Sequence, residues 1–415
     1  MISSRSIRSL QPFLVIGLAF SLPWLPYVLP ALLVLLVIAS LFTGSLTREL
    51  NGWSFAPWAL GLFLWHLAGM LWTEDHDFGW FDLGIKLPLL AVPVIAMIGP
   101  PPDHGTMRRG QLAFVLGCTG FVIFLLLRAL ALIGHDLALL RAGMHTEEVL
   151  LLDRLYSSAF SFHVHPTYLA YYLTLALSIV TVLDVEPRWF ARIRPFVSMT
   201  LLIGILCCGS KMGWVVLALV LSYLLAIASK PMRCTLIGAA LLGGLSFGML
   251  FASIPGFRAK ITQAIAALGD VAPDASDSSG ARVLVWDTAL ELVAAYPVLG
   301  TGTGDIKNEL VRRYCANGYS FPCEHKLNAH SQFLQTLAAL GPLGLLLLVF
   351  MFVLPLVRSL FQKDHLLTIL MLVTILNMAV ESMLEVQAGV LACCFLAWLF
   401  EGRDDVAEEM RTSQP

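Results

Sequence analysis

Residues 279–344 read SGARVLVWDTALELVAAYPVLGTGTGDIKNELVRRYCANGYSFPCEHKLNAHSQFLQTLAALGPLG. They form the longest polar interruption in a chain that is otherwise almost continuously apolar, and they bring together Arg282, a glycine-rich turn, two cysteines and His330. Of 415 residues, 58% are hydrophobic and 13% are charged, which is more apolar and less charged than a soluble domain. The sequence therefore predicts a membrane protein whose functional groups are concentrated in this stretch.

Apolar runs of about 20 residues can cross the roughly 30 Å hydrocarbon core of a bilayer, and packed helices can be shorter. The chain has twelve such runs, which predicts an all-α polytopic membrane protein with about twelve transmembrane helices. We expect residues 1–252 and 333–415 to form one membrane domain, with residues 253–332 as a large helical loop between the ninth and tenth spans. The runs lie at residues 12–25, 27–42, 55–72, 81–98, 111–133, 163–185, 196–208, 213–228, 234–252, 333–357, 366–381 and 389–400.

Lysine and arginine in the short connections predict the orientation, because cytoplasmic loops carry an excess of these residues. The short loops of one set carry only Lys211, and we place that set outside, with both termini in the cytoplasm and residues 134–162 and 253–332 on the outer face. A net charge of −2 shows no basic excess that would bind nucleic acid. The other set of loops carries Arg48, Arg108, Arg109, Arg188, Arg192, Arg194, Lys230, Arg233, Arg358 and Lys363.

The large outer loop contains its own helical patterns. Apolar residues of the stretch 257–268 recur on one helical face, which is typical of a helix that lies in the membrane interface. Residues 283–293 also have helical spacing, and this second helix should end at Pro297. Cys315 and Cys323 lie eight positions apart in the same loop, and an oxidising compartment would let them form a disulfide, with two free thiols as the alternative.

Charged residues in or beside membrane spans are costly, so each is a candidate for function. Most of them lie at the predicted outer face, where Arg282 follows a polar linker, Glu381 and Glu385 follow the eleventh span, and His330 opens the tenth. Backbone N–H groups at a helix start disfavour an imidazolium, so a neutral His330 can accept a proton as a general base. A histidine that caps the helix or bonds at the interface is the alternative.

Basic side chains at the outer face are candidates for binding phosphate. An arginine fork and a lysine point charge both suit a diphosphate group, which makes Arg282 and Lys211 candidates, with lipid headgroup anchoring as the alternative. His163 and His165 precede the sixth span on the same side, and they are candidates for substrate contacts or for capping that helix. Metal is disfavoured because no pair among the four histidines of this side has the spacing of a known zinc site, and these are His163, His165, His325 and His330.

Two further features are explained better by structure than by function. Lys86 follows Asp82 by one helical turn, so the two side chains should form a local ion pair. The glycines of residues 300–304, GTGTG, resemble a phosphate loop, but a tight turn at the end of a helix is the better interpretation.

Several motifs in order resemble the signature region of the superfamily of O-antigen ligases and polymerases of bacterial envelopes. The resemblance covers residues 163–344, and the layout of twelve spans agrees with it. The motifs are HPTYLAYY (residues 165–172), CGSKMGW (208–214), SGAR (279–282), YPVLGTGTG (296–304) and NAHSQFLQTLAALGPLG (328–344).

The resemblance implies a GT-C-like glycosyltransferase of the bacterial inner membrane whose active site faces the periplasm. It would transfer O-antigen from undecaprenyl diphosphate to the lipid A-core oligosaccharide, among membrane lipids and without a cofactor, a metal or a nucleotide. The histidine of the signature falls on His330, which would be the catalytic base, and the loop arginine falls on Arg282. Lys211 stands where an arginine is usual, which keeps the charge and loses the fork. An acidic residue after the eleventh span also recurs in such ligases, and Glu381 or Glu385 would occupy that position.

Three alternatives stay open on the sequence alone. An O-antigen polymerase and a protein O-oligosaccharyltransferase use the same kind of donor with different acceptors. A transporter of lipid-linked sugars is the third, and it is disfavoured because transporters place polar residues near the bilayer midplane on broken helices. The charges of this chain are concentrated at one predicted face instead.

Overall fold

The computed structural model describes residues 4–24, 27–43, 51–98, 103–142, 151–183, 188–227, 230–253, 255–266, 269 and 271–412. Within these residues the chain is helical and has no strand, which confirms the all-α class. Two short 3₁₀ helices, Leu151–Leu155 and Met383–Glu385, accompany the α-helices. The α-helices are α1 (Ser4–Ser21), α2 (Leu29–Thr43), α3 (Phe55–Gly69), α4 (His76–Ile85), α5 (Pro88–Ile98), α6 (His104–Arg141), α7 (Ser157–Ser161), α8 (Pro166–Val182), α9 (Arg188–Cys208), α10 (Lys211–Ile227), α11 (Lys230–Ser253), α12 (Pro255–Ala266), α13 (Gly280–Ala295), α14 (Ile306–Ala316), α15 (Ser320–His325), α16 (Gln332–Gln362), α17 (His365–Val380) and α18 (Gln387–Thr412).

Three helices in the described part of the chain are long and apolar enough to cross a membrane, namely His104–Arg141, Trp189–Cys208 and Gln332–Gln362. Helices α4 and α5, bent by 45° at their break, pass the same test as one broken span. Each of the twelve predicted runs overlaps an apolar helix, while the number of spans and their orientation stay predictions. The shorter apolar helices are Leu10–Ser21, Leu29–Thr43, Phe55–Gly69, Pro166–Val182, Lys211–Ile227, Gly243–Ser253, His365–Val380 and Gln387–Glu401.

The chain divides into two compact units. The first contains Met1–Leu18, Pro26–Gly110 and Gln263–Pro415. Inside this unit α16 packs against α3, α13 and α17, and α5 packs against α2, α3 and α18. Helix α16 is therefore the element on which α13 and the apolar helices α3 and α17 of this unit meet.

Helix α16 has a break at Gly341, whose φ of 67° and ψ of −170° lie outside the helical region. Pro342 follows, and proline has no N–H to continue the helical hydrogen bonds and crowds the preceding turn. The break frees carbonyl groups, which must find other partners because unpaired backbone groups are costly when buried. The N–H groups of Thr301 and Gly302 bond the carbonyls of residues 338 and 339 at 2.9 Å each, and Trp65 Nε1 bonds the carbonyl of residue 340 at 3.0 Å.

The glycine-rich turn at residues 300–304 is bonded into the first unit along its whole length. Besides its bonds to α16, the Thr303 hydroxyl donates to the carbonyl of His66 at 2.6 Å. The carboxylate of Asp305 then accepts the backbone N–H groups of residues 74 and 75 at 2.8 and 2.7 Å. These contacts agree with a structural turn rather than a phosphate loop.

The second unit contains Ala19–Leu25 and Gln111–Thr262, and α8 is its central helix. Helix α8 packs against α9 and α10, and every residue from Thr167 to Val180 is buried. A helix that is buried all round suits the near absence of charge in its sequence. The start of this helix, which carries the predicted histidines, is consequently held by the packing of the whole unit.

Two details of the predicted outer loops need correction. Helix α6 continues to Arg141, so residues 134–141 extend a long helix instead of beginning a loop. The predicted interfacial helix is present as α12, but its leading apolar residue, Phe257, is fully buried against Tyr156 and Trp214 of the same unit. The ring of Phe257 therefore packs into the protein core, where it contacts other aromatic side chains. The last two residues of the prediction lie outside the described residues.

Candidate active site

His330 lies two residues before the first turn of α16, in a constrained backbone conformation. Its φ is 44°, in the left-handed region that residues other than glycine adopt rarely. Three contacts hold this backbone. Asn328 Oδ1 accepts the N–H of His330 at 3.0 Å, and Trp286 Nε1 donates to the carbonyl of His330 at 3.3 Å. Gln335 Oε1 accepts the N–H of the preceding residue, Ala329, at 3.0 Å. Local strain of this kind is common at functional sites, and here the backbone conformation fixes the position from which the imidazole side chain projects.

Glu381 provides the side-chain partner of His330. It follows the last residue of α17, and it is 5% exposed. Its Oε2 atom lies 3.4 Å from His330 Nδ1, which makes a long hydrogen bond, and its Oε1 atom accepts Arg282 Nη2 at 2.6 Å. The structure therefore places one carboxylate between an imidazole and a guanidinium.

The guanidinium of Arg282 is already bonded within the protein. Besides Glu381, it donates through Nε to the carbonyl of Val380 at 3.1 Å and through Nη1 to the carbonyl of Ser278 at 2.7 Å. Arginine carries five N–H donors, and these three contacts leave one on each Nη atom. The charge of Arg282 is thus already balanced by Glu381, and its role in binding diphosphate stays a prediction.

The carboxylate partner sets the chemistry that His330 can perform. A carboxylate beside Nδ1 favours the tautomer that carries its proton there, which leaves Nε2 as the proton acceptor. The same carboxylate stabilises the imidazolium that forms when a proton is taken up. The geometry of this histidine therefore suits a general base better than a simple helix cap.

Glu385 belongs to the same turn but has different partners. Its Oε2 atom accepts Lys86 Nζ at 3.1 Å, and its Oε1 atom accepts Gln332 Nε2 at 3.4 Å. Lys86 also bonds Asp82 Oδ1 at 2.6 Å, so the predicted local ion pair is present and is extended by Glu385. Both carboxylate oxygens of Glu385 therefore bond protein groups, and its role in substrate binding remains a prediction.

His163, His165 and Lys211 belong to the second unit, and their participation in substrate binding stays a prediction. His165 occupies the N-cap of α8, where its Nδ1 atom accepts the N–H of Thr167 at 3.4 Å, as the capping interpretation predicts. The Ser210 hydroxyl lies 3.4 Å from the Thr167 hydroxyl, and Lys211 begins α10 directly after it. The motifs HPTYLAYY and CGSKMGW are thus joined side by side at the ends of α8 and α10.

The exposed His163 has aromatic neighbours instead. Its ring packs edge-on against Phe121, with the ring centroids 5.4 Å apart, and against Phe162, at 5.1 Å. None of the described residues form a group of three or more metal-ligating side chains.

A disulfide joins Cys315 and Cys323, and it closes the hairpin of α14 and α15 over α13. The Tyr319 hydroxyl donates to Asp287 Oδ2 at 3.1 Å, and burial together with this carboxylate raises the pKa of the phenol. Tyr314 of α14 is fully buried, and this burial raises the pKa of its phenol. This hairpin packs against α13, the helix that carries Arg282.

Sequence reasoning selected Glu381 as a substrate contact and missed its bond to His330. The two residues are 51 positions apart, and nothing in either local pattern indicates that they meet. Gln332 was missed as well, although it is completely buried and bonds the turn that carries both glutamates. A glutamine at the start of an apolar helix is the one signal that could have identified it.

The all-helical structure with its many apolar helices defines the class, a polytopic membrane protein with a polar site at the junction of α13, α16 and α17. Residues 196–349 match the family model described as O-antigen ligase, a range that contains Lys211, Arg282 and His330. The match supports membership of the O-antigen ligase superfamily. No curated protein matches the chain.

Proposed function

We propose that this protein is an O-antigen ligase, which transfers O-antigen polysaccharide from undecaprenyl diphosphate to the lipid A-core oligosaccharide at the periplasmic face of the inner membrane. The observation that carries the proposal is the contact between His330 and Glu381, with Arg282 bonded to the same carboxylate. Two of these three residues lie inside the stretch that matches the family, and the third supports them from the turn after α17.

In the proposed step His330 is the base. A hydroxyl oxygen of the core sugar forms a bond to the anomeric carbon of the donor, from the face opposite the diphosphate, while its proton moves to His330 Nε2. The bond between the anomeric carbon and the diphosphate oxygen breaks, and its electron pair leaves with undecaprenyl diphosphate. Glu381 stabilises the imidazolium that results, and the configuration at the anomeric carbon is inverted.

Fixed cations assist the departure of the diphosphate in this proposal. Positive groups aimed at developing charge lower the barrier without having to reorganise. Arg282 has one remaining donor on each Nη atom for a phosphate oxygen. The resemblance of the CGSKMGW motif to the family implies Lys211, at the start of α10, as the second cation. One base and fixed cations can suffice, because a diphosphate leaves without being protonated. This differs from the pair of carboxyl groups that glycoside hydrolysis needs.

Replacing Lys211 with glutamine is expected to lower the transfer rate by about 100-fold, the cost of removing one stabilising donor from a site of developing charge. Lys211→Arg should retain transfer, since it keeps the cation and restores the fork that is usual at this position. Initial rates with purified protein and a lipid-linked donor measure both variants. Equal rates for Lys211→Gln and the unchanged protein would remove Lys211 from the proposed mechanism.

A deletion strain tests the proposed function in the cell. A strain that lacks this protein should make lipid A-core without O-antigen, and a plasmid copy should restore the ladder of complete lipopolysaccharide on a gel. Core that carries a single repeat would instead identify a polymerase, because the ligase would still be present. Complete lipopolysaccharide would contradict both and would favour a protein O-oligosaccharyltransferase.

Transfer by the purified chain separates an enzyme from a transporter of lipid-linked sugars. The protein in proteoliposomes, supplied with lipid-linked O-antigen and core acceptor and without ATP, should form the linked product. Movement of the donor across the bilayer with no new glycosidic bond would overturn the proposal.

A further inference from the structure

Lys86 is a fully buried cation that the proposed reaction does not use. It lies at the break between α4 and α5, and its side chain has no exposed surface. Its ammonium bonds Asp82 Oδ1 at 2.6 Å and Glu385 Oε2 at 3.1 Å, so it joins two segments that are about 300 positions apart. Buried charges of this kind are expensive unless they are paired, and they are candidates for function in membrane proteins.

A local ion pair would not require Glu385. Asp82 stands one helical turn before Lys86 and balances its charge alone. Adding Glu385, whose side chain is 13% exposed, creates a set of two carboxylates and one ammonium, which is less favourable than a balanced pair. The position of Glu385 therefore has to be explained by what its own turn does.

That turn faces the start of α16 through two parallel sets of contacts. In the first, His330 meets Glu381. In the second, Gln332 Oε1 accepts the N–H of Leu384 at 2.7 Å, and Gln332 Nε2 donates to Glu385 Oε1. Because the same two short segments make both contacts, a shift of residues 384–385 would also move the carboxylate of Glu381 relative to the imidazole.

The contacts differ in strength at the two ends of the turn. Arg282 holds the Glu381 end through the carboxylate and through the carbonyl of Val380. Lys86 is the charged group at the Glu385 end, and it comes from the break between α4 and α5. Removing Lys86 would leave that end with the two bonds of Gln332, of which the one to Glu385 is long at 3.4 Å, and without the ion pair.

We propose that Lys86 is a positioning residue for the base, which holds the turn at residues 381–385 so that Glu381 faces His330 Nδ1. Lys86 itself touches neither His330 nor, in the proposed reaction, the substrates. This inference rests on the proposed function, because it concerns the geometry of the proposed base.

A double-mutant cycle tests this role. The variant Asp82→Asn/Lys86→Met removes one carboxylate and one ammonium together, so the formal charge of the buried set is unchanged. In the otherwise unchanged protein it should lower kcat by about 10- to 100-fold, the effect of misplacing a catalytic group by about 1 Å, with KM for the donor unchanged. In a Glu381→Gln background the same double change should cost about twofold or less, because the group that Lys86 positions is already gone.

An equal loss of kcat in both backgrounds would overturn the proposal, since a merely structural contact acts independently of Glu381. The amount of folded protein is checked by size-exclusion chromatography in detergent. If the double variant does not fold, Glu385→Gln replaces it in the same cycle, because glutamine keeps a partner for Gln332 and loses the ionic bond to Lys86. Asp82→Asn alone is the matched control, and it should retain kcat because Lys86 still bonds Glu385.

Failure of this inference can be told apart from failure of the proposed function. No transfer by the unchanged protein would refute the function itself. Normal transfer by a His330→Ala variant would refute the base. An active protein that loses activity equally in both backgrounds of the cycle would refute the role of Lys86 alone.

Discussion

Replacing His330 with alanine is expected to lower the rate of O-antigen transfer by about 100- to 10 000-fold, which is the usual contribution of a general base. The structure supports this expectation because Glu381 bonds the Nδ1 side of the ring and leaves Nε2 to accept a proton. The measurement is the initial rate with purified protein, together with the lipopolysaccharide pattern of a deletion strain that expresses the variant.

The matched control for this prediction is His325→Ala. His325 is an exposed histidine in the same polar segment, residues 279–344, and its ring contacts Phe321 instead of a carboxylate. The His325→Ala variant should transfer O-antigen normally, which would show that the loss of a histidine from this segment does not by itself abolish transfer. Normal smooth lipopolysaccharide from the His330→Ala strain, with the variant present in the membrane, would remove the base from the proposed mechanism.

Gly341→Ala is expected to destabilise the protein by about 2–6 kcal/mol, through the sum of backbone strain and overpacking. The φ and ψ angles at this position belong to a region that is almost exclusive to glycine. An added Cβ would also collide with the carbonyl oxygen of Val298, which is backbone and cannot rotate away. The break in α16 would shift, and the bonds from Thr301 and Gly302 would be lost. Thermal unfolding in detergent, followed by size-exclusion chromatography, measures the loss.

Gly61→Ala is the control for this substitution. Gly61 lies inside α3, and an added Cβ would make only an ordinary contact with Leu347 at 3.4 Å. Alanine is favoured over glycine in a helix by about 1 kcal/mol, so this variant should be at least as stable as the unchanged protein. A Gly341→Ala variant with the same unfolding midpoint as Gly61→Ala would show that the break tolerates a side chain.

Much of the helical structure could be predicted because it depends on local sequence. The apolar runs, the helix at residues 283–293 and its end near Pro297 follow from hydrophobic periodicity and from proline, which act over a few residues. The continuation of α6 to Arg141 and the burial of Phe257 were not predicted, because both depend on packing partners that are distant in the sequence. An apolar face has the same pattern whether lipid or protein covers it.

The candidate site was only partly predictable for the same reason. His330 and Arg282 stood out because a polar residue in an apolar chain is conspicuous. Their connection through Glu381 could not be inferred, since the three residues lie on three different helices or turns. The structure adds that Glu381 already balances the charge of Arg282, and that Glu385 joins the predicted ion pair of Asp82 and Lys86.

By itself, the sequence determined an all-helical chain with long apolar helices, the polar stretch at residues 279–344 and the residue types available for chemistry there, because periodicity, length and polarity are local properties. The tertiary structure alone decided which of those residues meet. It set the carboxylate of Glu381 between Arg282 and His330, and it joined Lys86 to Glu385. Charged groups that are removed from water must find partners, and only the packing of distant helices determines which partners are within reach.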